Sequence, residues 1–227
     1  DVQEGYPKTN LLIRSEDISL YDPNIRKWFE RISLIHKLRE TRAFVGFSRI
    51  FPVDTMDDEQ RRMLLSHTSK NWLPAIIVRG EGVFLKLREE KIKQWIENNI
   101  NNLNTRIRPL VEVFENLLSR HRQLASPVTP RFVMLHTLSH LLINQLIYDC
   151  GYGSASLRER LYSADGECPM SGILIYTAAG DSEGTMGGLV RMGQPGRIEG
   201  TLKRAIEKAR WCSTDPVCIE SKGQGPD

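Results

Sequence analysis

Residues 129–160, TPRFVMLHTLSHLLINQLIYDCGYGSASLRER, decide how the rest of the chain is read. Thr129 is an N-cap type, and Pro130 suits the first helical position, where its missing N–H would have had no partner anyway. Gly151 follows Cys150 at the place where a left-handed cap would end the helix. Between these signals Phe132, Val133, Leu135, Leu138, Leu141, Leu142, Ile143, Leu146 and Ile147 point almost all round, the pattern of a buried helix. His136, Thr137, His140 and Asn144 interrupt it, within roughly 100° of one another on the helical wheel. Buried polar groups need hydrogen-bond partners, so this stripe predicts contacts supplied from elsewhere in the chain. The expected fold is α+β, mainly helical around a buried central helix at residues 130–150, with a small β-sheet or hairpin and a C-terminal cysteine loop.

Working upstream, Asp22 and Pro23 form a helix start, and Ile25, Trp28, Phe29, Ile32, Ile35 and Leu38 keep a helical period to about Glu40. Residues 41–51 are β-branched and aromatic, a strand pattern, and 54–70 read as a polar insertion with one short helix. Two apolar runs, 75–78 and 83–87, flank Arg79, Gly80, Glu81 and Gly82 and read as a β-hairpin. Helices are expected over 88–100, closed by an asparagine-rich stretch, and over 109–124. Downstream, 154–162 reads as a short helix and 173–177 as a strand running into a glycine-rich loop at 178–188. A helix over 198–211 leads to the cysteine-bearing end. These elements group into three stretches, 1–40, 41–128 and 129–227.

The 227 residues are 40% hydrophobic and 26% charged, ordinary for a soluble globular protein. A net charge of +3 argues against strong nucleic-acid binding in isolation. No run is apolar enough for a membrane span, because 132–150 is broken by two His, Ser, Asn, Gln and Asp. Nothing at the N-terminus has the pattern of a secretory signal, and four cysteines in a chain this long suggest thiols or a metal in a reducing compartment, the cytoplasm. Asp1 in place of a Met, and the loop-like GQGPD at 223–227, read as a piece cut from a longer protein.

Cys212 and Cys218 flank Asp215–Pro216, a turn signal, and two thiolates across a turn can meet one zinc ion. The spacing is looser than a zinc knuckle, and two ordinary loop thiols read it as well; Cys168 stands as a possible third ligand. Cys150 is most simply a packed small residue. His136 and His140, one helical turn apart, can chelate a metal, but Thr137 stands where a metalloprotease would carry Glu. Two histidines hydrogen-bonded to their neighbours are the plainer reading. The glycine-rich loop matches neither phosphate-binding pattern, and its Asp181 and Glu183 can instead accept from the histidine stripe. If His136, His140, Asp181 and Glu183 converged in an open pocket, they would suit a metal-dependent hydrolase or nuclease. Arg158 and Arg160, with Ser154 and Ser156, form a small basic cluster. Arg197, Lys203 and Arg204, with Arg191, Lys208 and Arg210, can make a basic face for a phosphate backbone.

The runs LHTLSHLLINQLIYDCGYGSASLRERLYS (135–163), GILIYTAAGDSEGTMGGLV (172–190) and ARWCSTDPVCIES (209–221) resemble the DrmB family of the bacterial DISARM anti-phage system. FVGFSRIFP (44–52) and NWLPAIIVRGEGVFL (71–85) look like that family too. Its C-terminal part is similar to a four-cysteine zinc-binding domain at the ends of certain superfamily-two DNA helicases. Carried over, Cys212 and Cys218 match the first two cysteines of that cluster, and the family's other two follow in a CxxC beyond the end of this chain, unless Cys168 substitutes. The resemblance implies a structural zinc and a cytoplasmic, non-catalytic accessory subunit for phage restriction. That subunit pairs with the helicase-like ATPase DrmA and supports DNA binding. It also moves His136, His140, Asp181 and Glu183 towards a structural polar core.

Overall fold

Residues 29–43 carry apolar side chains on both alternations of an extended chain: Ile32 and Leu34 point one way, Ile35 the other, and all three are buried. In the computed structural model, which describes residues 10–44, 60, 71–121, 128–153, 155–177 and 188–210, this segment is a long strand, β2 (Phe29–Ala43). It joins β1 (Leu11–Ser15), β3 (Ala75–Leu87), β4 (Leu157–Ala164) and β5 (Met170–Thr177) in a five-stranded sheet of order β1-β2-β3-β5-β4, antiparallel throughout. The helices are α1 (Pro23–Trp28), α2 (Glu89–Asn98), α3 (Ile100–His121), α4 (Pro130–Cys150), α5 (Gly188–Met192) and α6 (Ile198–Lys208).

One face of the sheet presents Ile32, Leu34, Val83, Leu85, Leu87, Leu157, Ile173 and Ile175 to a layer formed by α1, α2, α4, α5 and α6. From the helices come Ile25, Ile92, Leu135, Leu142, Leu146, Leu189, Val190, Ile198, Leu202 and Ala205, giving one continuous core. Each fully buried Leu or Ile there contributes about 1.5–3 kcal/mol relative to an exposed position. The opposite face carries a smaller cluster of Ile35, Leu174 and Tyr176, with Phe84 and Tyr162 edge-to-face at 5.6 Å.

The expectation of a mainly helical protein around a buried central helix is therefore wrong. The core lies between a helical layer and a sheet, and α4 is one member of that layer. Three segments account for the difference. Residues 29–43 pair with β3 from Phe29↔Leu87 to Ala43↔Ala75, so the helix-like apolar spacing up to Leu38 is that of a central strand buried on two faces. Gly80 and Gly82 are not in a hairpin turn but inside β3, where the glycines let β5 approach. A Cβ on Gly82 would lie 2.9 Å from the Ile175 carbonyl oxygen, and one on Gly80 would meet that of Thr177. Residues 157–162, expected within a short helix over 154–162, belong to the edge strand β4, paired along its length with β5. The sheet takes strands from all three stretches of the chain. In addition, α3 begins at Ile100 and carries Pro109 inside it, and only Asn99 separates it from α2.

Candidate functional site

The ends of α4 follow the local chemistry expected of them. Thr129 Oγ1 accepts from Phe132 N at 3.2 Å, and Gly151 closes the helix with a φ of 72°. Its inner face buries Leu135, Ser139, Leu142, Ile143, Gln145 and Leu146. Its polar stripe does not face the core, since His136, Thr137, His140 and Asn144 are all exposed.

The partner of the two histidines comes from β4. On that strand Leu157, Glu159 and Leu161 alternate towards the helical layer, which brings the Glu159 carboxylate beneath α4. Glu159 Oε1 lies 3.2 Å from His136 Nε2 and 3.4 Å from His140 Nε2, and the two Nε2 atoms are 3.0 Å apart. The rings are nearly perpendicular, at 88°, and Phe132 stacks on His136. The second carboxylate oxygen of Glu159 lies against the hydroxyl of Ser139, a fully buried residue whose hydroxyl is also 2.8 Å from the His136 carbonyl. Beside the group lies a groove of about 440 Å³ lined by His140, Asn144, Arg158, Glu159 and Tyr176. Tyr176 donates to Glu40 at 3.3 Å, and burial together with that carboxylate raises its phenol pKa.

Three further polar anchors hold the elements that carry this site. Arg131, 5% exposed, reaches Asp165 at 2.8 Å and also bonds Glu89 and Ser171, tying the start of α4 to α2 and to the β4–β5 hairpin. Burial works against its charge, but the carboxylates of Asp165 and Glu89 outweigh it and raise its pKa. At the other end of α4, Asp149 accepts from Arg204 at 2.6 Å, Gln145 at 2.7 Å and Thr201 at 3.0 Å, locking α6 in place. Burial alone would raise the Asp149 carboxyl, yet these donors hold it below its ordinary range. The third anchor is Glu81, 3% exposed within β3. It accepts from Leu189 N, Val190 N and the Tyr152 hydroxyl, at 3.0, 3.4 and 3.0 Å, and so fixes the start of α5.

Of the residues expected to form a site, His136 and His140 do come together, but on Glu159. Asp181 and Glu183 lie outside the described residues, as do Cys212, Cys218 and Ser154. Cys168 is exposed in the β4–β5 connection, and Cys150 is half-buried, its thiol pushed up to about 11 by burial and by the nearby Asp149 and Glu81 carboxylates. The basic residues do not share one face: Arg158 and Arg160 point away from the helical layer, whereas Arg197, Lys203 and Arg204 lie on it. Glu159 was missed because its neighbourhood was read with a helical period. The signal was present as a strict alternation, in which a carboxylate on the apolar side of a strand requires a partner.

Residues 138–223 match the family described as the MrfA Zn-binding domain, a span that takes in His140, Glu159, Cys168, Cys212 and Cys218. The chain is also 34% identical over 205 residues to DISARM protein DrmB of Bacillus paralicheniformis, an alignment covering 89% of this chain and 36% of that protein. The chain thus spans about a third of the relative's length, and the resemblance expected from the sequence motifs is borne out.

Proposed function

We propose, from a chain homologous to DISARM protein DrmB along 89% of its length, that this protein works as a component of a bacterial anti-phage defence complex. Its role there is that of an accessory subunit, with the helicase-like ATPase DrmA as its partner, supporting DNA binding by the pair in the bacterial cytoplasm. The observation that supports this reading is the extent of the likeness, which runs through the sheet, α4 and the cysteine-bearing end alike and is not confined to one motif. No helix among the described residues is long and apolar enough to cross a membrane.

The zinc implied by the MrfA-type match is structural on this reading. Cys212 and Cys218 hold it, with thiolates beyond this chain or with Cys168. Thiolate donors around a tetrahedral ion order a loop too short to bury an apolar core, so the binding energy of the metal is folding energy. Arg197 and Lys203 on the helical layer offer phosphate contacts, but a net charge of +3 gives little salt-dependent affinity for DNA without the ATPase.

The test is co-purification of the complete protein with its ATPase partner, with metal content measured on the same sample. Replacing Cys212 and Cys218 by Ala is expected to lower bound zinc and weaken the complex. A double variant that still forms the full complex would rule the reading out.

A further inference from the structure

We infer that His136 Nε2, His140 Nε2 and Glu159 Oε1 form a zinc site of their own, separate from the cysteines at 212 and 218. The three donor atoms form a triangle with edges of 3.0, 3.2 and 3.4 Å. Donors at about 2.0–2.1 Å from a tetrahedral ion stand roughly 3.3–3.4 Å apart. The triangle has nearly that size without rearrangement, and an ion would sit a little under 1 Å above its plane at those bond lengths.

An ionised carboxylate oxygen accepts from any N–H directed at it, whereas an imidazole nitrogen is a donor or an acceptor, never both. If both histidines donate to Glu159, the 3.0 Å contact between their Nε2 atoms sets donor against donor; if one accepts from the other, it cannot also donate to the carboxylate. A cation at the centre meets a lone pair from all three.

The surroundings are those of a held ligand set. One turn of helix separates the two histidines, and Phe132 stacks on the first. Glu159 is oriented by the buried hydroxyl of Ser139 on its other oxygen, the kind of outer contact that sets a ligating carboxylate. The group also bridges α4 and the edge strand β4, so metal would pin the free edge of the sheet to the helical layer. The side chains of His136 and His140 are 48% and 59% exposed, which leaves the fourth position open to water on the side of the groove. Two imidazoles and one carboxylate select zinc or a similar borderline divalent ion, and disfavour magnesium and calcium, which take oxygen donors.

The experiment is zinc stoichiometry on the whole chain, with cobalt substitution read by visible absorption, in the wild type and in a Cys212→Ser/Cys218→Ser background. Each background should bind one zinc equivalent more than its His136→Asn/His140→Asn counterpart. Cobalt in the cysteine-substituted chain should give ligand-field bands with no thiolate charge transfer. Ser139→Ala should keep the site but weaken it by about 10-fold, as loss of an outer-sphere partner does. Both histidines are exposed, so their replacement should leave the melting temperature in chelator unchanged and abolish only the rise that zinc produces. Equal stoichiometry with and without the histidines would overturn the site. So would metal loss accompanied by a lower melting temperature in chelator, since the histidines would then be merely structural.

Discussion

Gly80→Ala separates a continuous β3 from a hairpin at residues 79–82. In the folded chain Gly80 does not have a positive φ, so alanine is conformationally acceptable there. What forbids it is space: the added methyl would meet the Thr177 carbonyl oxygen and lie 2.7 Å from Thr177 Oγ1. The first of these is backbone of the neighbouring strand, which cannot rotate away. Relief requires β3 and the end of β5 to separate locally. That breaks the 3.0 Å hydrogen bond from Glu81 N to Thr177 Oγ1, worth about 1 kcal/mol. Overpacking strain adds about 1–3 kcal/mol. It also disturbs the neighbouring Glu81, whose carboxylate holds the start of α5. The sum is about 2–4 kcal/mol, or a fall of roughly 5–15 °C in Tm for a chain of this size. Gly200→Ala is the control. It sits inside α6, its added methyl would meet only the flexible end of Arg204 at 3.2 Å, and it should be neutral or stabilising by about 0.5–1 kcal/mol. Thermal unfolding followed by circular dichroism reads both. A Gly80→Ala protein that melts with the wild type would refute the close packing of β3 on β5.

Three other expectations follow from the anchors around α4. Arg131→Met should cost about 2–4 kcal/mol in urea unfolding, somewhat below the loss of a fully buried ion pair because Asp165 is half-exposed. Asp149→Asn should cost about 1–2 kcal/mol at neutral pH. The Asp149 carboxyl is held low in the folded state, so its stabilisation is fully present above the unfolded carboxyl pKa of about 3.9 and is lost as pH falls through the lower folded value. The wild type and Asp149→Asn should therefore differ by the full amount above about pH 4 and converge as pH falls from there through the lower folded value; a gap that stays constant down through that range would contradict the ion pair. Alkylation at pH 8, mapped by peptide mass, should label exposed Cys168 well before Cys150, whose half-buried thiol is pushed up to about 11.

One part of the candidate site was legible in advance, the pairing of its two histidines. The spacing of His136 and His140 places both rings on one helical turn whatever the tertiary structure, because 3.6 residues per turn is a property of the backbone. Their exposure was not legible. An all-round apolar pattern suggested burial, but α4 buries one side only, and its outer apolar residues Val133 and Tyr148 are left partly or largely in solvent. Nor was Glu159, 19 positions beyond His140, attached to the pair before the strand period of 157–161 was known.

The same division runs through the fold. The ends of α4, the Asp22 cap of α1, the core of β5 and the body of α6 were set by residues within a few positions of one another. Capping oxygens, a proline at N1, a left-handed glycine and a short β-branched run act locally, so the amino-acid order alone suffices for them. The state of 29–43 and the continuity of β3 were settled by pairings such as Ile32↔Leu85 and Gly82↔Tyr176, made across 53 and 94 positions. In each, a helical or turn-like local pattern yielded to strand hydrogen bonds and to apolar burial on both faces of the sheet. Those gains exist only once the distant partner is in place.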